Sequence, residues 1–194
     1  MTGRSPQDER TMRERMLAGD LYVPDDPELA EASHRARDLM AAYNATSSRQ
    51  GPLRRQVLEE LLGSVGADTL IRSPLHVDFG SHLTIGARCF VNYGLVALDV
   101  AAITIGDDVQ IGPNVQLLTP THPVAAQARR DKWESAAPIT IGDNVWLGGG
   151  AIVLPGVSIG ANSVVGAGAV VTRDLPADVV AVGNPARVIR TVEP

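Results

Sequence analysis

Residues 139–176 read ITIGDNVWLGGGAIVLPGVSIGANSVVGAGAVVTRDLP. Along this stretch Ile141, Leu147, Val153, Ile159, Val165 and Val171 stand six residues apart, and glycine follows four of the six: Gly142, Gly148, Gly160 and Gly166. A helix brings side chains to one face every 3.6 residues and a strand every two, so neither requires a period of six. A short strand followed by a two-residue turn does. Three such sides close a triangle after about 18 residues, and stacked triangles pair each strand in parallel with its equivalent in the next coil. The aliphatic residue of each repeat points inward, as does the one two positions earlier (Ile139, Val145, Ala151, Val157). Glycine or asparagine suits the corners, where the backbone turns through positive φ.

With that period established, earlier repeats emerge. Ile85, Val91 and Ala97 are in phase with one another, and so are Ile105, Ile111 and Leu117; an extra two residues between Ala97 and Ile105 mark an insertion at a corner. Leu117 and Ile141 are 24 apart, four periods, although residues 118–138 between them are off-pattern. Those residues read as a loop thrown out of the stack, after which the chain returns in phase. The predicted fold is mainly β: a parallel β-helix, a triangular prism over residues 66–190, with residues 191–194 as a tail.

Residues 1–65 have helical periodicity instead. The segment PQDERTMRERMLAG (6–19) is a first helix ended by Gly19. Asp26-Pro27 starts a second, as an N-cap followed by proline in the first turn. Leu29, Ala32, Ala36, Leu39, Met40 and Tyr43 form its apolar face. A third runs from Pro52 to Leu62 and is stopped by Gly63 and Gly66.

The 194 residues include 44% apolar but only 4% aromatic side chains, so the core is built from Val, Ile, Leu and Ala. A net charge of −5 argues against a nucleic-acid partner, and any anionic ligand needs local cations. Cys89 is the sole cysteine, which rules out an internal disulfide; within an apolar run it reads as a small buried hydrophobe. The first residues lack the apolar stretch of a signal peptide and no apolar run is long enough to span a membrane, so the expected location is cytoplasmic.

The hexapeptide run and the ending GNPARVIR (183–190) resemble the hexapeptide-repeat acyltransferases, whose β-helices are left-handed. MLAGDLY (16–22) and TPTHP (119–123) narrow the resemblance to the maltose and galactoside O-acetyltransferases, which include the nodulation acetyltransferases. The match follows the family's order over nearly the whole chain. It implies acetyl-CoA as co-substrate, no metal, a small hydroxyl acceptor of sugar type, and a homotrimer with its active site between two prisms. Acetylation of a non-sugar hydroxyl such as serine or an antibiotic is the alternative within the fold.

Acetyl transfer to a hydroxyl needs a base for the proton, and histidine is suited to it. Of the four histidines, His34 falls on a helix surface and His76 and His82 flank the first coil. His122 lies between prolines where the loop leaves the stack, and the resemblance makes it the catalytic base. Direct attack by Cys89 is the competing mechanism, but no neighbouring residue in the sequence supplies its base. A metal-dependent or noncatalytic β-helix is a further alternative; His76 and His82 would need His122, far along the chain, to complete a ligand set.

The resemblance places the acceptor beside Asn92 and Asp99, with Asp25 or Asp26 standing in for an N-terminal acidic group. Asp78 occupies the place of a small hydroxyl in relatives, and Phe90 that of a tyrosine. For acetyl-CoA it implies Gly149, Ala167, Thr172, Arg173, Arg187 and Arg190, with Trp146 beside the pantetheine arm. Arg173 replaces a lysine and keeps its charge. Arginine suits phosphate because its planar fork donates in pairs.

Overall fold

The computed structural model describes residues 9–193. Thr11 opens the first helix, α1 (Met12–Leu17), through a capping box: its hydroxyl accepts the Glu14 N–H at 3.1 Å while the Glu14 carboxylate accepts the Thr11 N–H at 2.7 Å. The helix is shorter than expected because this reciprocal cap fixes its start; residues 6–8 of the expected helix lie outside the described residues. Gly19, at φ +75°, follows its end. Asp26 caps α2 (Pro27–Ala45) by accepting the Glu28 N–H at 2.8 Å, and Leu29, Ala36 and Tyr43 are its buried residues. Helix α3 (Gly51–Leu61) buries Leu58 and Leu61.

Arg54 of α3 ties this helical cap to the first coil. Its guanidinium donates to the Thr46 and Ser73 hydroxyls, the Tyr43 hydroxyl and the Ile71 carbonyl, and lies 4.3 Å from the Tyr43 ring centroid. A guanidinium so fully satisfied is held in place rather than left as a mobile surface charge.

From Ser64 the chain winds as a left-handed parallel β-helix whose three faces are sheets of five, seven and five strands. The sixfold ruler corresponds to the observed register. Ile85, Ile105, Ile141 and Ile159 stack in one column. Val91, Ile111, Leu147, Val165 and Ala181 form a second, and Ala97, Leu117, Val153 and Val171 a third. All thirteen are at most 2% exposed. Burying each larger aliphatic contributes roughly 1.5–3 kcal/mol, so the three columns supply the driving force that the scarce aromatics do not. Cys89 joins this core, its thiol donating to the Gly106 carbonyl at 3.1 Å.

The corners repeat as strictly. Asp68, Arg88, Asp108, Asn144, Asn162 and Asp178, one per coil, hold positive φ along one edge. Short Asx side chains tolerate this region, and here they also link coils: Asn144 donates to Asn162 at 3.1 Å and Asn162 to Asp178 at 2.8 Å. The two-residue slip after Ala97 is a corner insertion built around a buried carboxylate. Asp99 accepts the backbone N–H groups of Asp78 (3.0 Å), Phe79 (2.9 Å) and His82 (3.1 Å).

The chain leaves the stack after Leu118 and re-enters it at Ile139–Ile141, which pairs with Ile103–Ile105. The two ends of this excursion zip together: Pro120–Thr121 pairs antiparallel with Ser135–Ala136. Between them lies a short helix, α4 (Ala126–Arg130). At the other end, the strand Arg187–Thr191 runs antiparallel to Val179–Val182 and forms the edge of the seven-stranded sheet. Among the described residues no helix is long and apolar enough to cross a membrane.

Two glycine substitutions separate the constraints on the corners. A Cβ on Gly142 would lie 2.6 Å from the Ala161 amide nitrogen in the next coil, whereas one on Gly168 (φ +69°) meets nothing within 4 Å. Gly168→Ala is expected to cost only the left-handed strain of an L-residue, about 1–2 kcal/mol. Gly142→Ala must push two coils apart and is expected to cost about 3 kcal/mol or more. Denaturant unfolding of both variants checks the order.

Candidate active site

A cleft of about 450 Å³ opens where α2, the Asp99 corner and the excursion meet. His122 stands on its rim, one residue beyond the zipped pair Thr121–Ser135, with its imidazole exposed. Asp78 lines it from the corresponding corner of the preceding coil, held there because its own N–H is donated to Asp99. Its carboxyl is pushed up to about 6, first by burial and then by the negative charges of Asp99 and Glu134, against an opposing pull from Arg37.

The far wall is built by the N-terminal segment. Tyr22 and Glu134 exchange both backbone hydrogen bonds at 2.9 Å, and the Tyr22 hydroxyl donates to Glu134 Oε2 at 3.1 Å. Burial, followed by the Glu134 charge, raises the Tyr22 phenol far above its ordinary range, so it stays protonated and remains a donor. His34 and Arg37 of α2 also line the cleft. The site therefore offers two imidazoles, two carboxylates, a guanidinium and a phenol around a space of about 450 Å³, with Phe79, Leu98 and Val100 as apolar lining.

Of the residues singled out in the sequence, the structure brings only His122 and Asp78 into this cleft. Asp99 departs from expectation: it is fully buried and both carboxylate oxygens are taken by backbone N–H groups, so it shapes the corner instead of receiving an acceptor hydroxyl. Asp26 is engaged as the α2 cap and Asp25 is exposed, and neither lines the cleft; Tyr22 and Pro24 do. Tyr22, Glu134, His34 and Arg37 are cleft residues that sequence reasoning missed. The available signal was MLAGDLY itself, which ends on Tyr22.

The remaining residues lie apart from the cleft. Asn92 accepts the Tyr93 N–H at 2.9 Å and a bond from Arg72 at 3.4 Å. The Arg72 guanidinium in turn packs 5.0 Å from the Phe90 ring and 4.8 Å from that of Tyr93. Trp146 projects from the same sheet and is 55% exposed. Gly149 sits at the neighbouring edge, its carbonyl accepting the Gly168 N–H beside Ala167. Thr172, Arg173, Arg187 and Arg190 are all exposed toward the C-terminal end. The chain thus presents a polar cleft and, apart from it, exposed arginines of a kind suited to a phosphorylated ligand.

The competing nucleophile is disfavoured by its surroundings: burial pushes the Cys89 thiol up, away from the reactive thiolate. His76 is exposed, and His82 Nδ1 is engaged with the Asp99 carbonyl at 2.8 Å. Among the described residues no group of His, Cys, Asp and Glu is arranged to hold a metal ion.

Comparison with known proteins agrees with this architecture at both ends of the chain. Residues 15–66 match the maltose acetyltransferase hexapeptide capping motif, and residues 138–173 match six bacterial transferase hexapeptide repeats. Nodulation protein L of Rhizobium meliloti is 45% identical over 92% of this chain and 98% of its own length. The crystal structure of a maltose O-acetyltransferase from Clostridium difficile 630 superposes with a TM-score of 0.94 at 42% identity, over 95% of this chain and 99% of that one. A galactoside acetyltransferase solved in complex with coenzyme A gives 0.92 at 38% identity, over 95% and 92%. The capping motif, the repeats and identities of about 40% to relatives that cover nearly the full length make the chain a member of the maltose and galactoside O-acetyltransferase family of hexapeptide-repeat acyltransferases.

Proposed function

We propose that the protein is an acetyl-CoA-dependent O-acetyltransferase that transfers the acetyl group directly to a hydroxyl of a sugar, with His122 as general base. The observation that carries this reading is the exposed imidazole of His122 at the mouth of a polar cleft shared with Asp78. The imidazole takes the acceptor's hydroxyl proton as the oxygen attacks the thioester carbonyl. Collapse of the tetrahedral intermediate breaks the C–S bond, and the imidazolium returns the proton to the departing thiolate of coenzyme A. Asp78 orients the acceptor by accepting a second hydroxyl.

The coenzyme A complex of the galactoside acetyltransferase supports the co-substrate, and the names of that enzyme and of the maltose enzyme support a sugar acceptor. Trp146, Gly149, Ala167, Thr172, Arg173, Arg187 and Arg190 are the residues assigned here to acetyl-CoA, the arginines to its phosphates. Because this face and the His122 cleft are separate within one chain, the complete site forms between neighbours of a homotrimer, with Asn92 of one chain beside His122 of the next. The deciding assay is release of free thiol from acetyl-CoA with maltose, glucose, galactosides, chitin fragments and serine as acceptors. Release with serine but no sugar would overturn the acceptor class.

His122→Ala is expected to lose about 10²–10⁴-fold in turnover while binding acetyl-CoA as before; calorimetry alongside the thiol assay checks both halves. If the site is shared, two inactive variants complement each other. Refolding a 1:1 mixture of His122→Ala and Asn92→Ala chains should regenerate about a quarter of the sites, because each needs one intact residue from each neighbour.

Asp78 carries a stability cost consistent with a functional role. Its folded carboxyl titrates at about 6, above the ordinary carboxylate range, so it favours the fold when protonated and that contribution is lost as pH rises from about 4 through 6. Asp78→Asn should therefore be more stable than the parent at pH 7.5 by about 1–2 kcal/mol after allowance for partial solvation. The advantage should vanish near pH 4, while the variant's KM for the acceptor rises. Thermal melts across pH and acceptor kinetics test the pair of effects.

A further inference from the structure

We infer that Glu134 is the positioning residue of the catalytic imidazole, clamped for that task by Tyr22; this rests on the general-base reading of His122. The excursion's register supplies the first observation. Pro120 faces Ala136 and Thr121 faces Ser135, where the paired residues end; continuing that register by one residue beyond the ladder sets His122 opposite Glu134, and substrate binding would then close the remaining gap between the two side chains. Directly opposed residues of an antiparallel pair present their side chains to the same face, with Cβ atoms about 4.5–5.5 Å apart. Both residues line the same cleft.

The second observation is how Glu134 is held. Its backbone is fixed from the opposite edge by the two hydrogen bonds with Tyr22, and its Oε2 receives the Tyr22 hydroxyl. That phenol is buried and resists ionisation, so it remains a donor that fixes Oε2 and leaves Oε1 without a hydrogen bond from it. Among the described residues Glu134 has no cation within ion-pair distance. A carboxylate kept in a cleft, oriented by a neutral donor and lacking a resident cation, is poised to stabilise a positive charge that appears only during reaction. The imidazolium formed when His122 takes the acceptor proton is such a charge.

Other charged and titratable groups face this corner from each packed element. Asp78 approaches from the corner of the coil before Asp99, with Asp99 buried behind it, and His34 and Arg37 from α2. Arg129 of α4 donates to the Pro123 and Val124 carbonyls just after His122. Arg37 and Arg129 bring cations to this corner, and Asp78 a second carboxyl. Glu134 is distinguished from Asp78 by its place across the ladder and by its clamp.

The test is the titration of His122 in the full chain, followed by NMR of its ring Cε1–H, which is identified by its absence from His122→Ala. Glu134→Gln is expected to lower the His122 pKa by about one unit and to move the acidic limb of the kcat/KM profile down with it. Turnover should fall about ten- to a hundred-fold, the worth of a hydrogen bond to a charged group, with KM for acetyl-CoA unchanged. Tyr22→Phe should give a smaller shift in the same direction. In the His122→Ala background Glu134→Gln should cost nothing further. An unmoved imidazole titration in Glu134→Gln, whether or not turnover falls, would overturn the inference and leave Glu134 as a strut of the excursion. Near-full turnover in His122→Ala would instead overturn the general-base reading itself.

Discussion

Parallel pairing of each coil with the next is the constraint on which the rest depends. No single coil can bury its own aliphatic face; Leu147 is enclosed because Ile111 lies below it and Val165 above. Stacking also settles the backbone, since every short strand hands its amides and carbonyls to adjacent coils. Together these terms force near-identical coils, and near-identical coils force small residues wherever two backbones approach. The chain has freedom only where it departs from the stack.

It departs twice, and both departures build the cleft. At the Asp99 corner a buried carboxylate gathers three backbone N–H groups and so fixes where Asp78 and Phe79 emerge. At the excursion, a two-residue antiparallel ladder set beside the parallel coils brings His122 and Glu134 to the same wall. The N-terminal segment closes the third side through Tyr22. A rigid repeat thus serves as the frame, while the irregular segments carry the groups with chemistry.

Much of this was legible in the sequence because the solenoid is a local code. Ile141, Leu147 and Val153 mark three faces directly, and Leu117 and Ile141 reveal by their phase that residues between them are inserted. The site was legible only where a motif was itself local, as in TPTHP. Tyr22 and Glu134 escaped notice because they meet across 112 positions, and the contact exists only once the excursion has folded back. Asp99 differs from its expected role for another reason. An aspartate at a corner looks the same in sequence whether its carboxylate faces solvent or is turned inward onto backbone amides, and only the inserted residues around it decide. The first helix was overextended because charge and propensity alone do not indicate that Thr11 and Glu14 cap each other.

The direction of the last strand has a consequence for the life of the molecule as a solute. A parallel solenoid is open in principle at both ends, and an uncovered terminal coil is a template on which another chain's coil could dock, as in fibrils. Here Arg187–Thr191 reverses direction against Val179–Val182, and its outward edge carries Arg187 and Arg190. A chain arriving in the solenoid's own sense finds an antiparallel, positively charged border. At the opposite end α2 and α3 cover the first coil, with Arg54 bolting them down. The repeat that makes the prism easy to extend is thereby prevented from extending without limit.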